Sequence, residues 1–196
     1  MSFLEQHHSA LLLRCLADEF VPCLPPLLDN TKPGEERSRK NLSRAFSAFA
    51  IHHICGVPKA DAAASVIDDF DDYGVDAIYY HASTETLYLV QSKLKATEEF
   101  KQDEALAFCQ GIKKLIKQDF NGFNLNVQNR ITEIEDALDN CSQIQLVLAH
   151  TGTGITKHAK GAIDELLADD SHGEQRLQKQ AINYDAVQVL QALRAA

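Results

Sequence analysis

Two strand-like runs set the limits on what this chain can fold into. Val75 to Tyr80 and Thr86 to Lys93 are rich in branched and aromatic side chains, and the polar stretch His81 to Glu85 joins them. That pattern reads as a β-hairpin with a longer loop. A helix-period stretch from about Thr97 to Gln118 follows, with Phe100, Leu106, Phe108, Ile112, Leu115 and Ile116 as its apolar positions. Another helix over Val127 to Leu138 leads to a short apolar strand, Gln143 to Ala149. The turn Thr151-Gly152-Thr153-Gly154 opens a helix to Ala168, and a strand (Ala181 to Tyr184) and a helix (Ala186 to Arg194) close the chain. Strands alternating with helices in this order predict an α/β fold whose central mixed sheet carries helices on both faces.

Upstream of the hairpin the pattern is helical. Ser2-Phe3-Leu4-Glu5 reads as a capping box that opens a helix to about Phe20, stopped by Pro22, Pro25 and Pro26. Asp29 to Gly34 is a turn-rich connector, so residues 1–34 form an N-terminal appendage and residues 35–196 the α/β domain. In the helix from Glu35 to Cys55, the residues Leu42, Ala45, Phe46, Phe49, Ala50, His53 and Ile54 follow the i, i+3, i+4 rule and predict a buried face. Gly56 suits the position just past its end. His52, His53 and Cys55 invite a metal reading, but adjacent histidines point to different helix faces, and a histidine on an apolar stripe belongs to the core.

At 196 residues, 45% of them hydrophobic and 24% charged, the chain can bury the core of a single domain. It has no uncharged apolar run of the ~20 residues that a membrane span needs. With no signal-peptide pattern and five scattered cysteines that never form CxxC, it reads as a cytoplasmic protein with free thiols. The net charge of −9 argues against a general nucleic-acid coat protein. The charge is unevenly placed, however. Five carboxylates lie between Asp68 and Asp76, and basic residues gather in Lys32 to Arg44 and again from Lys93 to Lys117.

The hairpin is where chemistry can concentrate. Side chains two apart on a strand share a face, so Leu87, Leu89, Gln91 and Lys93 point one way, and Asp76 shares a face with Ile78 and Tyr80. A hairpin sets the start of one strand beside the end of the other. A carboxylate (Asp76), an amide oxygen (Gln91) and an ammonium (Lys93) can then converge at one end of the sheet. Oxygen ligands of this kind hold Mg²⁺, and a neighbouring lysine can offset charge that builds on phosphorus. The plainer reading keeps an acidic turn before a strand and a lysine that ends an edge strand. A calcium loop over Asp69 to Gly74 fails, because its later ligand positions fall on Tyr73 and Tyr80. The Thr151 to Gly154 turn could cradle a phosphate but lacks the P-loop spacing, and reads as an ordinary strand-to-helix turn.

Asp76 followed by Gln91-Ser92-Lys93 resembles the active-site motif of the PD-(D/E)xK restriction-endonuclease-like nucleases, in the QxK form of the Mrr-like branch. Asp72-Tyr73-Gly74-Val75-Asp76-Ala77-Ile78-Tyr79, with Leu87-Tyr88-Leu89-Val90-Gln91-Ser92-Lys93, is similar to the N-terminal nuclease domain of abortive-infection phage-resistance proteins. The resemblance implies a three-layer α/β/α fold and Mg²⁺- or Mn²⁺-dependent cleavage of nucleic acid, DNA first, in phage defence. It also implies metal binding by Asp76 and Gln91, with Asp72 as a further ligand, and a catalytic Lys93. A homodimer is a further expectation, since such nucleases often pair to cut two strands. The chain departs from the pattern twice. Tyr73 stands where relatives carry glycine, and the glutamate expected on the preceding helix, near Ala45, is missing, so Glu35 or Asp72 would have to replace it. The rival expectation is a nuclease-fold module that binds or assembles without cutting.

Overall fold

The computed structural model describes residues 4–195. Ser2, the proposed cap of the first helix, lies outside them. Helix α1 (Gln6–Cys15) widens into a π-type stretch (Leu16–Phe20) and then tightens into a 3₁₀ turn (Val21–Cys23) that contains Pro22. Its buried residues Leu12, Leu16 and Phe20 join the same apolar cluster as the next helix. Helix α2 (Gly34–Cys55) starts behind Pro33 and ends at Gly56, whose left-handed φ of +66° lets its N–H reach the His52 carbonyl. All residues from Arg44 to Ile51 are buried, so this part of α2 is covered on every side, not along one stripe.

Helix α3 (Lys59–Ala64) leads through an irregular segment to strands β1 (Ala77–His81) and β2 (Thr86–Lys93). Then follow α4 (Gln102–Ile116), α5 (Leu125–Gln128), α6 (Ile131–Asn140), β3 (Gln143–His150), α7 (Lys157–Ala168), β4 (Ile182–Tyr184) and α8 (Ala186–Ala195). The sheet order is β1-β2-β3-β4. The β1/β2 pair is antiparallel and the other two pairs are parallel, which makes a mixed sheet.

Side-chain alternation divides the core. Ile78, Leu87, Leu89, Ile144, Leu146 and Leu148 pack with α4, α6 and α7 on one face. Ala77, Val90, Val147, Ala149 and Tyr184 pack with α2, α3 and α8 on the other. Each large aliphatic side chain buried in these layers contributes about 1.5–3 kcal/mol.

The structure differs from the sequence reading at several boundaries. The helix after the hairpin begins at Gln102, not Thr97, because Phe100 is extended and pairs with the 154–156 segment (Phe100 N–H to Gly154 O, 2.9 Å; Thr156 N–H to Phe100 O, 3.0 Å). The helix expected over Val127 to Leu138 is two helices, since Asn124 caps the short α5 through the Val127 N–H and the chain bends at Arg130. Upstream of β1, pairing is limited to a single bridge between Val66 and Ala77. No helix among the described residues is long and apolar enough to cross a membrane.

Candidate functional site

Asp76 is the most heavily tied residue of the irregular segment before β1. Its carbonyl accepts from the N–H groups of Ile67 (2.9 Å) and Asp68 (3.1 Å), and its own N–H donates to Val90 O at 2.7 Å. Its carboxylate Oδ2 accepts the Ser92 N–H at 2.6 Å. The last two contacts bracket Gln91, one residue on each side. This is the adjacency that the hairpin argument required.

The turn that precedes it is tightly wound. Asp71, Tyr73 and Gly74 all take left-handed backbone angles (φ +54°, +52° and +72°). Asp72 Oδ1 accepts the Gly74 N–H at 2.8 Å, and Val75 N–H returns to Asp72 O at 3.0 Å. This winding brings carboxylate oxygens of Asp68, Asp72 and Asp76 within 4.8 Å of one another. Tyr73 thus adopts the conformation for which glycine is the easy choice. Its ring packs on Phe123 at 4.7 Å between centroids, and the Lys114 ammonium lies 5.2 Å above it. Those contacts offset the backbone cost. Gly74 admits no side chain, because a Cβ there would lie 2.7 Å from the Phe108 backbone nitrogen.

The cluster is short of positive charge. Burial raises all three carboxyl pKa values, and neighbouring acids add to it: Asp76 stands well above the ordinary range beside Asp68 and Asp72, Asp72 is pushed up to about 7 beside Asp68, and Asp68, beside Asp69, is raised despite Lys40 and Arg44. Lys40 Nζ lies 3.7 Å from both Asp68 and Asp69. Arg44 is fully buried, with Nε donating to Asp68 O (2.8 Å) and Nη1 to Asn41 Oδ1 (3.0 Å). Asp69 turns away to accept the Leu28 and Phe70 N–H groups, each at 2.9 Å.

Gln91 and Lys93 both lean on α4. Gln91 Nε2 donates to the Glu104 carbonyl at 2.8 Å. That contact fixes which end of the amide is which, and it leaves Gln91 Oε1 buried without any partner. The Lys93 ammonium meets both carboxylate oxygens of Glu104 (2.8 and 3.0 Å) and that of Glu98 (3.4 Å). Burial pulls the Lys93 pKa down, but pairing with Glu104 and Glu98 outweighs it and the net direction is up. Its ion pairs are with these glutamates and not with the aspartates.

Asp72 and Asp76 therefore come together as expected from the sequence, and Gln91 lies between the two β2 residues, Val90 and Ser92, whose backbone Asp76 bonds. Glu35 does not join them. It lies in the exposed first turn of α2 and pairs with Arg39 at 3.6 Å, because the buried part of the helix starts two turns later. Asp68 adds the further acid instead. Sequence reasoning missed Asp68, Glu104 and Arg44. Asp68 carried no periodic signal, because residues 68–76 form an irregular turn in which spacing sets no shared face. For Arg44 the available signal was a cation inside an otherwise buried helical run. The basic residues split: Lys32, Arg37 and Lys40 line a hollow beside Asp69, whereas Lys113, Lys114 and Lys117 line a separate one on α4. His52 and His53 each place Nδ1 against a backbone carbonyl, Val57 and Phe49 respectively.

The clustered carboxylates of Asp68, Asp72 and Asp76 form an all-oxygen group that suits a hard divalent cation. The raised acids have a consequence without one. Between the unfolded carboxyl pKa near 4 and the folded value for Asp72 of about 7, the folded chain holds protons that the unfolded chain has released. Stability must fall as pH rises through that window, by about 1.4 kcal/mol per unit for each proton of difference. Urea unfolding in EDTA from pH 5 to pH 8 should show this decline, and Asp72→Asn should flatten it. A profile that is already flat in the parent would contradict the buried repulsion.

Comparison with family models, with curated proteins and with solved structures finds no match to this chain.

Proposed function

We propose that the chain is a divalent-metal-dependent nuclease of restriction-endonuclease-like fold, which hydrolyses phosphodiester bonds of nucleic acid, DNA first, in the context of phage defence. The observation that carries this reading is Gln91 Oε1. It is a buried carbonyl oxygen with no hydrogen-bond donor, on a residue bracketed by the contacts of Asp76. A buried acceptor left unpaired is costly, and a cation is the partner that would also relieve the neighbouring carboxylates. The order of elements around the hairpin and the mixed sheet support the fold assignment.

In this reading Asp76 and Gln91 would hold Mg²⁺ or Mn²⁺, with Asp72 and Asp68 completing the oxygen set. When bound, the ion supplies Lewis acidity toward a phosphate and lowers the pKa of water. Lys93, held in place by Glu104 and Glu98, orients the attacking water and offsets negative charge on phosphorus. Lys40 and Arg37, which line the hollow beside Asp69, draw the phosphate backbone toward the acids.

One observation favours a second reading, a nuclease-fold module that binds or assembles without cutting: the Lys93 ammonium is already occupied by two glutamates. The test is incubation of the protein with plasmid DNA, single-stranded DNA and RNA, each with Mg²⁺, Mn²⁺ or EDTA. The nuclease reading expects cleavage with either metal and none in EDTA. Binding without cleavage under every condition supports the module, and cleavage that persists in EDTA contradicts the metal reading.

A further inference from the structure

The turn after β3 has a use that the proposed nuclease site does not absorb. A cavity of about 760 Å³ lies between α7, along which it runs from Lys160 to Ala168, and the C-terminal ends of the parallel strands β3 and β4. That size is in the range of small-molecule sites, and the crevice beyond the carboxyl ends of parallel strands is where open α/β sheets bind ligands. Leu148, Ile155, Ile163 and Leu167 give it an apolar floor. Gln91, Lys93 and the acid cluster do not line it.

Its polar groups are arranged for a ligand. None of the backbone N–H groups of Gly152, Thr153 and Gly154, which line the cavity, donates to an acceptor of the protein among the described residues. The loop is held in place from behind, since a Cβ on Gly152 would lie 1.8 Å from the Glu98 carbonyl oxygen. His150 also lines the cavity and is only 3% exposed. Its Nε2 meets Asn183 Oδ1 at 3.0 Å, so that nitrogen donates and Nδ1 is left as a buried acceptor without a partner. The two acids of the lining are engaged. Asp164 pairs with Lys160 at 2.5 Å in an exposed contact, and Asp185 accepts the Val187 N–H at 2.9 Å. An exposed pair of that kind is weak, so Lys160 can turn to an anion at little cost.

We infer that this cavity binds a small organic phosphate. The phosphate sits on the free N–H groups of residues 152–154, in the loop between β3 and α7, and on Lys160. The body of the ligand covers the apolar floor and offers a hydroxyl or N–H to His150 Nδ1. The inference stands apart from the nuclease reading, and its test is run in EDTA so that the two can fail separately.

The full chain is titrated with adenosine monophosphate, inorganic phosphate and adenosine, followed by calorimetry and by the backbone amide resonances of Gly152, Thr153 and Gly154. Adenosine monophosphate should bind at a single site and shift those amides, phosphate should compete with it, and adenosine should bind more weakly. Lys160→Glu should weaken binding of the nucleotide about tenfold, the scale of one charge-assisted hydrogen bond. Ala181→Trp, which fills the cavity from its half-exposed rim, should abolish binding. Both positions reach solvent, and unchanged unfolding midpoints would show that the variants fold. The inference is overturned if neither nucleotide nor phosphate saturates at millimolar concentrations. It is equally overturned if adenosine binds as tightly as its monophosphate, or if both variants bind like the parent.

Discussion

Lys93→Ala should reduce metal-dependent cleavage by about 100- to 1,000-fold, the effect of removing one group aimed at developing charge. The side chain ends β2 and is only 10% exposed, and two carboxylates fix its ammonium. Lys93→Arg should not restore activity, because the larger planar guanidinium does not place a compact charge where the lysine ammonium ends. The variant must be shown to fold, since Glu104 and Glu98 lose their shared partner. Unfolding midpoints in EDTA provide that control. Cleavage by Lys93→Ala at the parental rate would remove this lysine from the mechanism.

Arg44→Ala should cost about 3–5 kcal/mol of stability, the range for removing one partner of a buried charged network. The guanidinium is fully buried in the middle of α2, where it holds Asp68 O and Asn41 Oδ1 and faces the Asp68 and Asp69 carboxylates. Its loss leaves a cavity and the aspartates with Lys40 alone. Arg44→Lys should fail to rescue, since a single ammonium cannot reach both acceptors. The cost should shrink at pH 5, where more of the raised carboxyls are protonated and need less compensation. Urea unfolding of parent and variant at the two pH values measures both effects. A cost below about 1 kcal/mol at pH 8, within the reach of a surface change, would contradict the role assigned to Arg44.

The parts of this account that were legible in the sequence are those with a local signature. β2 runs over Thr86–Lys93, as its pattern and flanking turn residues indicate, and its antiparallel pairing with β1 brought Asp76 to Gln91. The late alternation of strands and helices gave the mixed sheet. The acid cluster was less legible. Asp68 reaches Asp76 only because Asp71, Tyr73 and Gly74 turn left-handed, and a tyrosine gives no local sign of doing so. Its reason lies in the distant Phe123 and Lys114. Glu35 misled because extending a helical stripe backward assumes that the core continues with it, whereas the first turns of α2 project into solvent. Glu104 was hidden by the start of α4. In a helix begun at Thr97 it is an interior residue, but in the real one it is the third residue, where its carboxylate also accepts the Lys101 N–H at 2.8 Å.

The central claim is that Asp76 and the unpaired Gln91 Oε1 hold a divalent cation. Titration with Mn²⁺, followed by the loss of the free-ion electron paramagnetic resonance signal, tests it without reference to any substrate. The account predicts a single saturable site in the parent, no such site in Asp76→Asn, and affinity reduced about tenfold or more in Gln91→Leu. Binding in Gln91→Leu equal to that of the parent, or no saturable binding in the parent at all, would contradict it.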